Sequence, residues 1–423
     1  MRTRVLIKAP ILSQSGYGHH SRTVLRALKK REDLFDIYVN ALTWGQTGWL
    51  WEDNDERKWI DSLLNKTIHY IQHGGQFDIS LQVTIPNEWE KIAPINIGIT
   101  AGIETTKVSP QWIEKSYLMD KIITISEHSK WSYENTKYAT TDPNNGEEVQ
   151  VGVQTPIEVV HYPVRQFEPA KIELDLDTNF NFLSVVQLSP RKNVHQTIKC
   201  FIEQFHENDD VGLVLKLNMS KNSLIDREHT FNGIKGFLSE HPERKCKIYL
   251  LHGYMTDEEM SALYNNPKIK AFISTTHGEG FGLPIFESAY YGLPVVAPDW
   301  SGHLDFLYMT SVDKKGKEKK KPMFSRVGYT LKPVEKEAVW DTVVQADSQW
   351  AYPEDGSFKM ALDDVYKDYG RFKKRANTLQ KWICEKFEAD KQYQKFIDIF
   401  SSFTEDNDDN WLEELDDVIK EYE

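Results

Sequence analysis

The chain has 423 residues, enough for two or three domains with sizeable cores. Its hydrophobic, aromatic and charged fractions of 40%, 12% and 27% exclude a disordered or fibrous protein, and three widely spaced cysteines exclude a small scaffold held by disulfides. The net charge of −13 includes −9 from ten acidic residues and one lysine in residues 405–423, so the −4 of the other 404 residues does not decide whether the protein binds a polyanion.

The first part of the chain alternates short apolar runs with amphipathic helical patterns. Residues 4–9 predict a strand, followed by a loop that contains Gly16 and Gly18 and by a helix over residues 21–30. Further elements are predicted in this part: strands at residues 95–100, 121–125 and 157–161, and helices at 111–118 and 129–138. Because strands that alternate with helices form parallel sheets covered on both faces, we expect an α/β protein.

A second α/β pattern begins at residue 180, after a segment with two prolines and several charges that is typical of an interdomain linker. The elements predicted here are strands at residues 181–187, 211–217, 247–251, 271–274 and 294–297, helices at 193–205 and 257–264, a glycine loop that enters a helix at 279–291, an exposed lysine-rich loop at 314–321, and a helical region at 361–400 that packs back across the first half. The predicted organisation is a first domain at residues 1–165, a linker at 166–179, a second domain at 180–375, a returning helix at 376–404 and an acidic tail at 405–423.

Two carboxylates, Glu279 and Glu287, stand eight positions apart in the segment HGEGFGLPIFE, with two glycines between them. Pro284 indicates that a helix begins here, since proline is tolerated in the first helical turn. The unpaired amides and positive dipole of such a helix start can hold a diphosphate, whereas the carboxylates suit the hydroxyl groups of a sugar or ribose. Taken alone, the same pair also fits a solvated loop acid and a helix-capping acid.

The longer run EGFGLPIFESAYYGLPVVAPDWSG resembles the E-x7-E signature of retaining GT-B glycosyltransferases, most closely glycosyltransferase family 4, and the resemblance extends through the second half. It implies two Rossmann-like domains with a cleft between them, the donor on the second domain and the acceptor mainly on the first. The implied reaction moves a hexose or pentose from a nucleoside-diphosphate sugar to a hydroxyl group, with attack from the face of the departing phosphate. The resemblance implies neither a metal nor another cofactor.

The resemblance also assigns the donor site. Lys192 matches the diphosphate-binding lysine of the family, but the arginine that relatives carry five or six positions earlier is absent, so Arg191 is the candidate for the second cation. Glu279 is implied to orient the donor sugar and Glu287 the ribose. The other implied donor contacts lie in three loops: Gly16 and Gly18 under the phosphates, Gly253, Tyr254 and Met255 at the nucleobase, and Gly280, Phe281, Gly282 and Leu283 at the diphosphate.

The acceptor is predicted from a tryptophan cluster in the first half. Trp44, Trp49 and Trp51 lie in a predicted loop, where their flat rings suit sugars and unstacked bases, although core packing explains them equally well. Glu104, in a region where many relatives place a histidine, is a further candidate. We favour a saccharide or other small hydroxyl acceptor, because residues 314–321 are the only evident basic run. The alternative acceptor is a modified DNA base, which an enzyme must take out of the stack.

Other functions stay open from the sequence: a nucleotide-sugar epimerase or hydrolase of the same fold, and an inactive glycan-binding relative. The sequence contains no HExxH, no GxSxG and no cluster of Cys and His, and we expect no metal. No apolar run approaches the roughly 18 residues of a membrane helix, so we expect a cytoplasmic protein without a transmembrane segment. The sequence leaves the oligomeric state undetermined.

Overall fold

The computed structural model describes residues 2–45, 47–141, 146–220, 222–312 and 316–404. These residues form two α/β domains, each built on a six-stranded parallel sheet, and a helical C-terminal segment. The fold class expected from the sequence, two Rossmann-like domains followed by helices, is therefore confirmed. The predicted acidic tail, residues 405–423, lies outside the described residues, as do Lys314 and Lys315 of the lysine-rich run. The domain boundaries given above stay predictions.

The first domain is built around strands with apolar residues on both faces. Its strands are β1 (Thr3–Ala9), β2 (Phe35–Ala41), β3 (Ile79–Val83), β4 (Ile95–Thr100), β5 (Lys121–Thr124), β6 (Lys137–Thr141), β7 (Glu148–Gly152) and β8 (Ile157–Val159). Its helices are α1 (Gly16–Lys29), α2 (Asp55–Gln72), α3 (Pro110–Ser116) and α4 (Glu127–Asn135), with a 3-10 turn at Pro86–Glu88. The parallel sheet has the order β2-β1-β3-β4-β5-β8. Neighbouring residues Ile122 and Ile123 pack into separate apolar clusters, as expected of a sheet buried on both faces.

One helix predicted in this domain ends earlier than the sequence indicated. The prediction of a helix over residues 129–138 is wrong at its C-terminal end, because α4 stops at Asn135 and Thr136 has extended backbone dihedral angles. The following residues form β6, which pairs antiparallel with β7 in an exposed hairpin. Its aromatic and β-branched residues, Tyr138, Thr140 and Thr141, favour a strand over a helix.

The second domain repeats the same layered arrangement. Its strands are β9 (Phe180–Gln187), β10 (Val211–Asn218), β11 (Lys247–Leu251), β12 (Ile269–Ile273), β13 (Val295–Pro298), β14 (Tyr308–Val312), β15 (Glu318–Pro322), β16 (Ser325–Val327), β17 (Tyr329–Pro333) and β18 (Gln349–Pro353). Its helices are α5 (Val194–Phe205), α6 (Leu224–Leu238), α7 (Asp257–Tyr264), α8 (Leu283–Tyr290) and α9 (Leu304–Leu307), with 3-10 turns at Pro190–Lys192 and Lys336–Ala338. The parallel sheet has the order β11-β10-β9-β12-β13-β16. The C-terminal ends of β11, β10 and β9 are therefore neighbours.

The lysine-rich run is not the loop that the sequence suggested. Residues 318–322 form β15, which pairs antiparallel with β14 in a two-stranded hairpin. The register places Met309 opposite Lys321, and the lysine side chains of the strand are exposed. The prediction of exposure is correct, but that of a loop is wrong, because a strand rich in lysine gains its backbone hydrogen bonds from a partner that local composition does not reveal.

The chain ends in three helices, α10 (Asp355–Lys367), α11 (Tyr369–Lys386) and α12 (Ala389–Ser401). Helix α11 packs on α8 of the second domain, whereas α12 packs on α1 of the first. Tyr393, Phe396 and Phe400 of α12 join the apolar core beneath the first sheet. The last helix thus crosses back to the first domain, as predicted. Within the described residues, none of the helices is both long and apolar enough to span a bilayer.

Candidate functional site

A cleft of about 1090 Å³ lies between the two domains, at the C-terminal ends of the sheet strands. Loops of the two domains meet at its floor, where a Cβ on Gly280 would lie 2.3 Å from the carbonyl oxygen of Ala101. The indole Nε1 of Trp300 donates a hydrogen bond of 3.0 Å to the carbonyl of Glu104 in the same region. Only glycine at position 280 allows this approach, so the predicted glycine loop also forms the junction between the domains.

The predicted diphosphate loop enters helix α8. Gly282 has a φ of +91° and precedes the helix, and Pro284 occupies its first turn, as predicted. No side chain caps this N-terminus, which leaves amides of the first turn available to a ligand. Gly280, Phe281, Gly282 and Leu283 all line the cleft. The left-handed conformation explains why glycine stands at position 282.

Two predicted cations and two predicted carboxylates come together beside this loop. The guanidinium of Arg191 donates to Glu279 Oε2 at 2.9 Å and to the carbonyl of Gly278 at 2.7 Å, and its Nε lies 3.2 Å from Glu104 Oε1. Lys192 Nζ donates to Glu279 Oε1 at 2.6 Å. Arg191 and Lys192 reach the cleft because the 3-10 turn Pro190–Lys192 follows directly on β9. These four side chains form a charged cluster on the cleft wall.

The charges of this cluster depend on one another. Burial would raise the pKa of Glu279, but the neighbouring Lys192 and Arg191 outweigh it and lower that pKa to about 2. Burial lowers the pKa of Lys192, while the carboxylate of Glu279 opposes the shift. Burial raises the pKa of Glu104, against the opposing charge of Arg191. Glu279 is therefore ionised at neutral pH and holds both cations in place.

Glu287 lies apart from this cluster, in a small pocket next to the cleft. Its carboxylate accepts a 2.8 Å hydrogen bond from the hydroxyl of Tyr264, and His19 and Arg165 line the same pocket. Burial raises the pKa of Glu287 to about 7, despite the hydrogen bond from Tyr264. The two glutamates of the E-x7-E pair therefore have opposite electrostatic environments, and only Glu279 contacts the cations.

The predicted nucleobase loop occupies a separate region beyond the cleft lining. Gly253 has a φ of +112°, which permits the turn after β11. Tyr254 donates a hydrogen bond to Glu52 of the first domain, and its ring centroid lies 6.1 Å from that of Trp51. Met255 packs against the apolar core of the second domain. Gly253 is linked to the cleft through its carbonyl, which accepts a hydrogen bond from Lys216.

Only some of the candidate glycines and tryptophans of the first domain line the cleft. The prediction of a loop at Gly16 and Gly18 is wrong, because helix α1 already begins at Gly16, with Ser15 as its N-cap. Gly16 lines the cleft, whereas Gly18 is required by packing, because a Cβ there would lie 1.9 Å from the carbonyl oxygen of Ser13. Trp44 lines the cleft and packs on Tyr17 at a centroid distance of 4.6 Å. Trp49 and Trp51 are 51% and 69% exposed and lie outside the cleft lining. Of the three candidate tryptophans, Trp44 lies in the cleft and the other two do not.

Several cleft residues were not identified from the sequence. The cross-domain loop, residues 334–348 between β17 and β18, brings Glu337 and Trp340 to the cleft. Val343 of this loop is buried against Trp112 in an apolar cluster of the first domain. Lys216 of β10 also lines the cleft. Nothing in the local sequence marks these residues, because their position depends on strand order and on contact between the domains.

The described residues contain no group of three or more His, Cys, Asp and Glu side chains arranged to hold a metal ion. Arg191, Lys192, Lys216 and the first amides of α8 are among the groups of the cleft able to contact an anion. The carboxylates of Glu279 and Glu104 are able to accept hydrogen bonds from sugar hydroxyls. The site thus combines cations, a helix N-terminus and carboxylates within one cleft.

Comparison with known proteins shows that part of this chain is similar to sugar transferases. Residues 238–311 match the family model of glycosyl transferases group 1, a segment that includes both glutamates of the E-x7-E pair. The serotype-specific mannosyltransferase WbdA of Escherichia coli is 32% identical over 121 residues, which are 28% of this chain and 13% of that protein. The chain thus spans a small part of the length of the curated relatives it matches.

Solved structures that cover nearly the whole chain include the following two. Sucrose-phosphate synthase from Thermosynechococcus elongatus has a TM-score of 0.61 at 10% identity, with 95% of this chain and 99% of that chain covered. Anabaena HepE, in complex with UDP and glucose, has a TM-score of 0.58 at 12% identity, with 95% and 100% covered. The chain therefore has the GT-B fold, and its residues 238–311 carry the sequence pattern of glycosyl transferases group 1.

Proposed function

We propose that this protein is a retaining glycosyltransferase that moves a hexose or pentose from a nucleoside-diphosphate sugar to a saccharide hydroxyl. The observation that carries the proposal is the charged cluster of Arg191, Lys192, Glu279 and Glu104 beside the N-terminus of α8. The cations and helix amides suit a diphosphate, and the carboxylates suit the hydroxyls of the transferred sugar. WbdA is a mannosyltransferase and HepE forms a complex with UDP and glucose, which agrees with this donor class.

The proposed reaction breaks the bond between the anomeric carbon and the phosphate oxygen while the acceptor oxygen bonds to the same face of that carbon. The acceptor proton passes to the leaving phosphate oxygen. Lys192 and Arg191 then stabilise the charge that develops on the diphosphate, and Glu279 orients the sugar while fixing both cations. Since side chains and amides provide this stabilisation, the proposal requires no divalent metal.

The distribution of charge in the cleft supports a saccharide as the acceptor. Among the described lining residues, every lysine and arginine comes from β9, β10 or the turn after β9. The first domain and the cross-domain loop instead contribute Glu88, Glu104 and Glu337 to the lining, together with the rings of Trp44 and Trp340. Carboxylates and ring faces suit the hydroxyls and apolar faces of a sugar, whereas the carboxylates repel the phosphates of DNA.

A donor screen and a transfer assay test this proposal. We expect one nucleotide sugar to raise the melting temperature, and labelled sugar from that donor to appear in an oligosaccharide with its anomeric configuration retained. Release of free sugar without transfer would point to a hydrolase, and inversion would refute the retaining mechanism. Transfer to duplex DNA, with binding that weakens steeply as salt rises, would overturn the saccharide proposal.

The acceptor site is tested with a pair of tryptophan variants. Trp44→Ala should raise the KM for the acceptor while leaving nucleotide affinity unchanged, because Trp44 lines the cleft beside Tyr17. Trp49→Ala is the matched control, since Trp49 is 51% exposed and lies outside the cleft lining. Equal effects of the two substitutions would contradict the assignment of Trp44 to the acceptor site.

A further inference from the structure

Three lysine and arginine side chains line the cleft in the described part of the chain: Arg191, Lys192 and Lys216. Two of them are neutralised by carboxylates, since Arg191 bridges Glu279 and Glu104 while Lys192 binds Glu279. With two carboxylates for two cations, this cluster has no net charge when both acids are ionised. A diphosphate that enters the cleft therefore shares Arg191 and Lys192 with these carboxylates, and a cation without a carboxylate partner must come from elsewhere in the cleft.

Lys216 has a different environment from the other two cations. Its ammonium donates a hydrogen bond to the carbonyl of Gly253, and within the described residues no carboxylate oxygen lies within 4 Å of it. Glu259 is the acidic residue whose charge acts on Lys216, but Glu259 Oε2 accepts a hydrogen bond from the amide of Thr256 in the capping box of α7. Burial lowers the pKa of Lys216, which is the cost of holding a cation there without an adjacent anion.

The sheet order fixes where this charge lies. Lys216 is in register with Val185 of β9 on one side and with Leu251 of β11 on the other. The turn after β9 carries Arg191 and Lys192, and the loop after β11 begins at His252. The end of β10 therefore lies between the charged cluster and the Gly253 loop. A nucleotide that extends from that loop to the cluster must pass over Lys216.

We propose that Lys216 binds the diphosphate of the donor, as the cleft cation that no carboxylate neutralises. The inference rests on the proposed function, because it requires a nucleoside-diphosphate ligand in this cleft. The ammonium of Lys216 forms no ion pair with Glu279. A diphosphate can therefore accept a charge-assisted hydrogen bond from it without displacing a carboxylate. The hydrogen bond to the carbonyl of Gly253 fixes the position of the Lys216 ammonium at the edge of the cleft.

The test compares nucleotides with and without phosphates in Lys216→Met and Lys216→Arg. Calorimetric titrations use UDP, GDP and ADP, and then the nucleoside of whichever diphosphate the wild-type protein binds most tightly. We expect Lys216→Met to weaken diphosphate binding about 10- to 100-fold while nucleoside binding changes less than threefold. Lys216→Arg should retain most of the diphosphate affinity. Lys247→Met, on the exposed start of β11, is the matched control and should change neither affinity.

The possible results distinguish a failure of the Lys216 inference from a failure of the proposed function. Equal losses of diphosphate and nucleoside affinity in Lys216→Met would overturn the inference, because Lys216 would then act only by holding the Gly253 loop. Unchanged diphosphate affinity would overturn it as well. If the wild-type protein bound none of the nucleotides, the proposed function itself would fail. Lys216→Met replaces a buried cation with a side chain of similar size, and its melting temperature checks that the fold is intact.

Discussion

Replacing Glu279 with glutamine removes the carboxylate that neutralises two buried cations. The pKa of Glu279 falls from an ordinary value of 4.5 to about 2, because Lys192 and Arg191 outweigh the effect of burial. A shift of this size corresponds to about 3 kcal/mol of stability, at about 1.36 kcal/mol per pKa unit. We therefore expect Glu279→Gln to lower the free energy of unfolding by about 3 kcal/mol at pH 7.

The loss of stability in Glu279→Gln should depend on pH. Since the folded-state pKa is lowered, the stabilisation is complete above the unfolded-state value of 4.5 and is lost as the pH falls toward about 2. The stability difference between wild type and Glu279→Gln should therefore be largest above pH 5 and should shrink below it. Pyrophosphate should restore part of the stability of the variant, because it supplies the missing negative charge to the cations.

Denaturant unfolding of ligand-free protein between pH 3 and pH 8 measures these differences. Glu158→Gln is the matched control, because Glu158 is 46% exposed and forms a 2.7 Å ion pair with Lys121 far from the cleft. That surface pair should contribute less than about 1 kcal/mol. The electrostatic account of the cluster would be refuted if Glu279→Gln unfolded with the same free energy as wild type at pH 7, or if the difference did not change with pH.

Three further predictions follow from the site. Lys192→Ala should lower kcat on the order of a hundredfold with a smaller effect on donor KM, because the leaving diphosphate loses a cation; unchanged turnover would contradict this role. Burial raises the pKa of Glu287 to about 7, so this carboxyl should lose its proton as the pH rises past 7. Because the carboxylate is the form that accepts hydrogen bonds from ribose hydroxyls, nucleotide affinity should increase between pH 6 and pH 8 in wild type but not in Glu287→Gln. Titration calorimetry at each pH measures this difference. EDTA should leave sugar transfer intact, since side-chain cations are proposed to cover the phosphate charge; loss of activity that manganese restores would refute metal independence.

Local sequence patterns were sufficient for strands β9 to β13 and helices α5, α7 and α8 of the second domain. The strand predicted at residues 247–251 is β11, and the helix predicted at 257–264 is α7. Both are defined by signals within a few residues, such as the capping box in which Thr256 and Glu259 exchange hydrogen bonds. The lysine-rich strand β15 was not predicted, because its conformation depends on pairing with β14 and not on its own composition.

The sequence also identified the residues of the charged cluster, but not their contacts. Lys192 and Glu279 stand at positions that the resemblance to a known family marks, and Arg191 was a candidate because it adjoins Lys192. Their arrangement, in which one carboxylate binds both cations and Glu104 of the first domain joins Arg191, depends on the closure of the cleft. Pairing between residues so distant in sequence cannot be read from either segment alone.

The tertiary structure alone shows that Lys216 and the cross-domain loop lie at the cleft. In the sequence, Lys216 is a single charge at the end of an apolar strand, and Trp340 is one aromatic residue in an irregular segment. The order β11-β10-β9 places Lys216 between the loop after β11 and the turn after β9, and the burial of Val343 in the first domain brings Trp340 to the cleft. The sequence by itself determined those strands and helices that depend on neighbours a few residues away. Strand order and domain contact depend on packing across the whole chain, so only the folded structure determined which side chains share the site.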